Sequence, residues 1–224
     1  MSLPTKINNW AFETVPQKGL NGRKGYQPRG KCLGGSSAIN AMIYIRGNRA
    51  DYDDWAAQGC TGWSYDEVLP YFIRSENNHR IQNEYHGNAG PLHVSDVQTD
   101  SIFHERYLQA AREQGYPVLD DFNGAEQEGL GVYQVTHDNG ERCSAARAYL
   151  FPHLNRPNLT IWTKATTHKI IIEQKAAVGV QVQHAGQLKT LRARQEVLLS
   201  AGAMQSPHLL MLSGIGDAEE LKQH

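Results

Sequence analysis

Apolar positions recur at helical spacing in two early parts of the chain. Ser64-Tyr65-Asp66-Glu67 sets a serine three residues ahead of a glutamate, a capping box, and Val68, Leu69 and Phe72 continue the pattern. A helix is predicted over 64–75, the clearest of three short helical signals between Asn48 and Asn78. Ile102, Phe103, Tyr107, Leu108 and Ala111 predict another helix, closed by Gly115. Residues 79–100 between them are rich in Asn, His, Gly and Asp, and they read as a loop-bearing excursion with one strand candidate at 91–94. A further helix is predicted from Ser144 to about His153. After Arg156-Pro157-Asn158 the period changes. LTIWT, HKIIIEQ, AVGVQVQH, QLKTLRAR and EVLLSAG are short β-rich runs, partly alternating in period two and separated by turn residues, so the region builds sheet. Ser206-Pro207 then predicts a helix start, serine as N-cap and proline at the first helical position, with LLML apolar and Gly214 as the stop.

One stretch breaks these periods. PRGKCLGGSSAINAMIYIRG, residues 28–47, runs from small residues into an apolar segment that reads as a helix. Gly34-Gly35 permits positive φ or contact with a ligand that a Cβ would block, and Ser36-Ser37 offers hydroxyls at a helix N-terminus, a setting that suits phosphate. An ordinary serine-capped loop has the same composition.

Composition narrows the partner. The 224 residues, 40% hydrophobic, suffice for one large domain or parts of two. Lys and Arg number 22 against 23 Asp and Glu, which leaves no basic footprint for nucleic acid and no polybasic membrane patch. The partner indicated is a small molecule. Cys32, Cys60 and Cys143 are odd in number and far apart, so they read as packing residues in a reducing compartment rather than as a disulfide framework or zinc knuckle. The ten histidines are scattered singly and read as surface or core residues. No apolar run approaches the roughly 18 residues of a membrane helix, and Met1-Ser2-Leu3-Pro4 lacks signal-peptide order. The chain opens into a loop and stops inside AEELKQH without a cap, so a piece of something longer is expected.

Several chemistries fail on their motifs. Gly30 and Gly35 have P-loop spacing, but Ser36 stands where the lysine belongs. Gly129-Leu130-Gly131 and Gly214-Ile215-Gly216 end in Gln134 and Glu219 instead of the third glycine of a dinucleotide fingerprint. His104-Glu105 is followed by Leu108 rather than a second zinc-binding histidine, and no serine sits in G-x-S-x-G.

Gly30-Lys31-Cys32-Leu33-Gly34-Gly35-Ser36-Ser37-Ala38-Ile39-Asn40-Ala41-Met42 resembles the first signature of the glucose–methanol–choline family of FAD-dependent oxidoreductases. SAGAMQSPHLLMLSGIG, 200–216, resembles its second signature, and NWAFETVPQKGLNGR, NAGPLHVS and ERCSAARAYLFPHLNRPNLT resemble its linking blocks, in the family's order. The likeness runs from Ile7 to His224 and is nearest the choline- and alcohol-dehydrogenase branch. It implies FAD as cofactor, with Cys32, Leu33, Gly34, Gly35, Ser36, Ser37, Asn40, Ala41 and Met42 along the pyrophosphate and flavin, Asn40 near the isoalloxazine ring, and Thr167, Ala201 and Gly202 toward the adenosine end. Thr167 stands where relatives commonly carry valine.

The implied fold is a mixed α/β (or α+β) fragment of an FAD-binding Rossmann-like domain with part of the substrate-binding domain. The expected division is 1–78 for the flavin-domain loop and helices, 79–155 for part of the substrate domain, 156–216 for the β-rich flavin-domain part, and 217–224 for the start of another segment. The implied reaction is oxidation of an alcohol CH–OH, choline or an aliphatic or aromatic alcohol, by hydride transfer to flavin N5. The family's G-x-G-x-x-G and catalytic histidine are expected outside this chain. No catalytic residue and no metal ligand is therefore assigned within it, and the isolated chain is expected to be inactive. The substrate alcohol and the electron acceptor stay open. So does a non-catalytic flavin-domain-like binding module. A cytoplasmic location is expected, with membrane association through the electron acceptor left open.

Overall fold

The computed structural model describes residues 7–99 and 101–223, so the reading of Met1 to Pro4 lies outside the described residues. In chain order the elements are β1 (Phe12–Glu13), β2 (Tyr26–Gln27), α1 (Arg49–Ala57), α2 (Tyr65–Ser75), β3 (Glu76–Asn78), β4 (Leu92–Asp96) and α3 (Ile102–Glu113). They continue with β5 (Gln134–Val135), β6 (His137–Asp138), β7 (Glu141–Arg142), β8 (Ala165–Glu173), β9 (Ala176–His184), β10 (Gln187–Arg192), α4 (Gly202–Leu212) and α5 (Ala218–Leu221). The chain forms two compact units, dividing after Leu159.

The first unit is built around a short mixed sheet in the order β3-β4-β5, with β3 parallel and β5 antiparallel to β4. The capping box at Ser64 forms as predicted: the Ser64 amide and hydroxyl both donate to Glu67 Oε2, at 3.0 and 2.6 Å. Asn48 starts α1 in the same way, accepting from Ala50 N while its own amide donates to Asp51. The region 48–78 thus holds two helices and a strand, not three helices. Helix α3 forms at the predicted place, and Gly115 closes it at φ +78°. Its Ala111 is buried, but Ile102, Phe103 and Tyr107 stay exposed. The predicted 144–153 helix is instead a π-helical turn, Ala146–Leu150, followed by a 3-10 turn, Phe151–His153, with Pro152 inside it. Proline has no amide to continue an α ladder.

The second unit is an antiparallel meander, β10-β9-β8, with α4 against β8. Both connections are tight: Gln174 and Lys175, then Ala185 and Gly186, all have positive φ, as a type I′ hairpin turn requires. Ile170 and Val182 are buried in it. Only the middle three of the five predicted strands form. The residues around Trp162 are irregular, as are 193–200, and neither stretch finds a strand partner among the described residues. Trp162 instead stacks on His184 at 4.6 Å. Helix α4 begins at Gly202, four residues before the predicted N-cap, and Pro207 lies inside it. Ser206 still serves the helix start, because its Oγ accepts from Ala201 N at 3.1 Å.

Candidate functional site

The 30–46 segment is held by backbone before any side chain acts. Gly30 bridges Asn9, Lys31 N donates to Asn8 O at 2.7 Å, and Gly35 N donates to Cys32 O at 2.9 Å. A Cβ on Gly30 would stand 2.1 Å from Gly35 O, so this glycine exists to let the next turn lie on it. Gly35 differs. Its φ is +54° and, its chain neighbours aside, no atom of the described residues lies within 4 Å of where its Cβ would be, so this backbone shows an open face.

Beyond Gly35 the predicted apolar helix does not form. A single 3-10 turn, Gly35–Ala38, is followed by extended chain. Asn40 breaks the helix by accepting from Met42 N at 3.0 Å while Met42 takes φ +63°. The β-prone Ile43-Tyr44-Ile45 then bridges to β5: Tyr44 N donates to Gln134 O, and Thr136 N to Met42 O. Ala41, Ile43 and Ile45 face outward while Met42, Tyr44 and Arg46 face inward, the period of a strand.

The polar groups of this loop are partly spent. Ser37 donates to Gly34 O at 2.6 Å and accepts from Ala145 N at 2.9 Å, which ties the turn to the segment before the π-helical turn. Ser36 Oγ accepts from Gly30 N at 3.2 Å, and its own proton has no partner among the described residues. Asn40 Oδ1 also accepts from Arg142 Nη1 at 2.8 Å, and the same guanidinium reaches Ser37 O. The Asn40 amide hydrogens stay unspent among the described residues. Cys32 is exposed, as is Cys60, so only Cys143, 2% exposed, is the packing cysteine the sequence suggested. Leu33 and Ala41 are exposed too. A hollow of about 420 Å³ adjoins the loop, lined by Ala41 and Ile43 together with His104, Tyr107 and Tyr133.

In the second unit, Thr167 lies on β8 opposite Val182, beside a bulge at His168, and Ala201 and Gly202 start α4. Gly202 has φ +86° and, like Gly35, nothing among the described residues beyond its chain neighbours within 4 Å of its Cβ position. Ser213 Oγ accepts from Ile170 N at 2.8 Å and pins α4 to β8.

A family model described as GMC oxidoreductase matches residues 7–224. The chain belongs to the GMC oxidoreductase family. It is 46% identical to an oxygen-dependent choline dehydrogenase of Brucella anthropi, covering all of this chain and 41% of that protein. It is 45% identical to the mitochondrial choline dehydrogenase of Mus musculus, covering 96% of this chain and 36% of that one. The chain thus spans about two-fifths of the length of the curated relatives it matches. Among solved structures, pyridoxine 4-oxidase from Mesorbium loti matches with a TM-score of 0.89 and 32% identity over 96% of this chain and 43% of its own. A formate oxidase gives a TM-score of 0.87 and 31% identity, covering 99% of this chain and 40% of its own. This mixed α/β chain therefore has the GMC fold that its two signatures implied.

What sequence reasoning missed in this GMC chain is a buried ionic cluster. Glu76, fully buried, pairs with Arg46 Nη2 at 2.8 Å and with His86 Nδ1 at 2.9 Å, and it accepts from Asn78 and from Gly87 N. His86 Nε2 faces Asp121 Oδ2 at 3.0 Å. Burial alone would lower the pKa of His86, but the hydrogen bonds to Asp121 and Glu76 win and push it up to about 9. The imidazole is a cation at neutral pH, so two carboxylates and two cations balance. Asp121 is held below the usual carboxylate range: burial opposes this, and the His86 and Asn123 N hydrogen bonds overcome it. Asn123 Oδ1 in turn accepts from Arg46 N at 2.7 Å. The four charged residues span 46 to 121, so no local spacing could have revealed them. No helix among the described residues is long and apolar enough to cross a membrane.

Proposed function

We propose that this chain is part of an FAD-dependent oxidoreductase that oxidises the CH–OH group of an alcohol, with choline the first candidate because the similar choline dehydrogenases are 45–46% identical over nearly the whole chain. The family match over residues 7–224 carries the reading. The loop fits the cofactor on its own geometry, since Gly35 shows an open backbone face and the donors of Ser36 and Asn40 have no partner among the described residues. Cys32, Leu33, Gly34, Gly35, Ser36, Ser37, Asn40, Ala41 and Met42 would hold the flavin and pyrophosphate, and Thr167, Ala201 and Gly202 the adenosine end. We assign residues 1–78 and 156–216 to the flavin domain and 79–155 to the substrate domain.

When bound, FAD supplies the two-electron acceptor for the substrate hydride. The chain's own part is positional. Ser37 and Arg142 fix the curve of the loop, Gly35 keeps a side chain out of the cofactor's way, and Asn40 offers an amide while Arg142 and Met42 N hold its oxygen. The proton acceptor belongs to the part of the GMC relatives that these residues do not span. The 224 residues alone therefore hold FAD weakly and turn over no alcohol. The test is flavin absorbance of the intact protein under anaerobic choline and a panel of aliphatic and aromatic alcohols. Bleaching by choline at the lowest concentration supports the reading; a bound flavin that no alcohol bleaches refutes the reaction class and favours a binding module.

A further inference from the structure

We propose that His79, His93 and Asp138 form a divalent-metal site of the borderline class typified by zinc, which clasps three segments of the first unit. His79 Nε2 and His93 Nδ1 lie 2.9 Å apart, and His93 Nδ1 lies 3.7 Å from Asp138 Oδ1. All three ligand atoms are within 4.8 Å of one another. Zinc bonds of about 2.0–2.2 Å place tetrahedral ligands roughly 3.3 Å apart, so small side-chain rotations bring the three donors into range.

The scaffold favours this convergence. His79 directly follows β3, and its amide donates to Val94 O at 2.9 Å, which sets it beside β4. His93 is in β4, and Asp138 ends β6, whose His137 O accepts from Ser95 Oγ at 3.0 Å. Three donors thus come from three paired backbone segments rather than from one mobile loop. The carboxylate is also oriented: Asn139 Nδ2 donates to its Oδ1 at 3.1 Å, and Arg147 Nη2 stands 3.7 Å from its Oδ2. Arg147 opposes a nearby cation, but Glu141 pairs with it and offsets its charge.

A histidine pair sharing one proton accounts for the 2.9 Å contact alone. It does not account for a carboxylate brought against the same nitrogen. Imidazole with one carboxylate suits zinc, nickel or copper, not magnesium or calcium, which take oxygen shells. His79 is exposed and the other two are half-buried, so an ion can enter from solvent, and three protein ligands leave a position for water.

The test uses the intact protein, stripped with a chelator and titrated with Zn²⁺ by calorimetry, while thermal melting is followed at each addition. One equivalent should bind and raise the melting temperature. Replacing the exposed ligand in His79→Gln, and separately His93→Ala, should weaken binding by about tenfold or more, comparable to the loss seen when a supporting residue of a metal site is removed. His168→Ala, on β8 of the other unit, should leave it unchanged. The proposal is overturned by an absence of stoichiometric Zn²⁺ binding, or by equal affinity in His79→Gln and the unaltered protein.

Discussion

Two polar regions of the first unit lie close in sequence and differ in kind. The cluster around Glu76 turns its charges inward: Arg46, Glu76 and His86 are almost wholly buried, and their opposite charges meet at 2.8–3.1 Å. The loop from Cys32 to Met42 is open on one face and holds donors at Ser36 and Asn40 that stay unspent among the described residues. Burying a polar group costs free energy unless it is partnered, so the cluster's dense pairing, with Arg46 Nε left without a partner among the described residues, marks structure, and unspent polarity on a fixed backbone marks a place for a ligand. Arg46 joins the two, because the strand-like run that leaves the loop ends on it.

The comparison breaks most visibly if the cluster is damaged. Glu76→Gln leaves Arg46 a buried cation without its counter-charge and His86 with Asp121 alone, and the expected loss is about 3–5 kcal/mol of unfolding free energy by denaturant titration of the intact protein. A loss under 1 kcal/mol would mean that water reaches the cluster. Gly35→Val has the opposite profile. A β-branched residue at φ +54° costs roughly 1–2 kcal/mol, while its side chain fills the open face. Bound flavin per folded protein should fall by more than that strain explains; a variant with full flavin content would place the cofactor elsewhere.

A pH series sharpens the contrast. The pKa of His86 is raised in the folded state to about 9 from an ordinary value near 6.5, so its stabilising charge is fully present below 6.5 and is lost as pH rises through 9. Unfolding free energy should decline between pH about 6.5 and 9, and His86→Gln should flatten that slope. The groups facing His86 are Glu76, Asp121 and Asn78, and Arg46 is bonded to the same Glu76. The smallest effect is expected at Ser37→Ala, which removes one hydroxyl joining Gly34 O to Ala145 N. About 1 kcal/mol of stability should go, with a modest loss of flavin, read by melting and absorbance.

Much of the fold was legible because its signals are local. The Ser64 capping box, the period of α3 and the alternation of β8 to β10 each fit within a dozen residues. What failed was decided by distant partners. Residues 39–45 look helical until β5, some 90 positions away, offers Tyr44 a backbone acceptor at Gln134. The runs at 159–163 and 196–202 have strand composition, yet neither pairs with a strand among the described residues, and β8 and β10 stay the edges of their sheet there. The loop was legible for a different reason: its glycines and serines are contiguous, and their resemblance to a family signature named the ligand. The histidines were read singly because His79, His86 and His93 acquire partners only when β3, β4 and β6 come together with the turn at Asp121.

Hydrogen exchange of the intact protein, with FAD bound and after its removal, tests the central claim most directly. If the loop is a cofactor wall and the cluster is scaffold, amides from Gly34 to Met42 and at Ala201 and Gly202 exchange markedly faster without FAD. Those of Glu76 to Asn78 and of Gly87, whose hydrogen bonds lie in the buried cluster rather than on an open face, keep their protection. Equal exchange of the 34–42 amides in both states, or changes confined to the Glu76 cluster, would contradict the account.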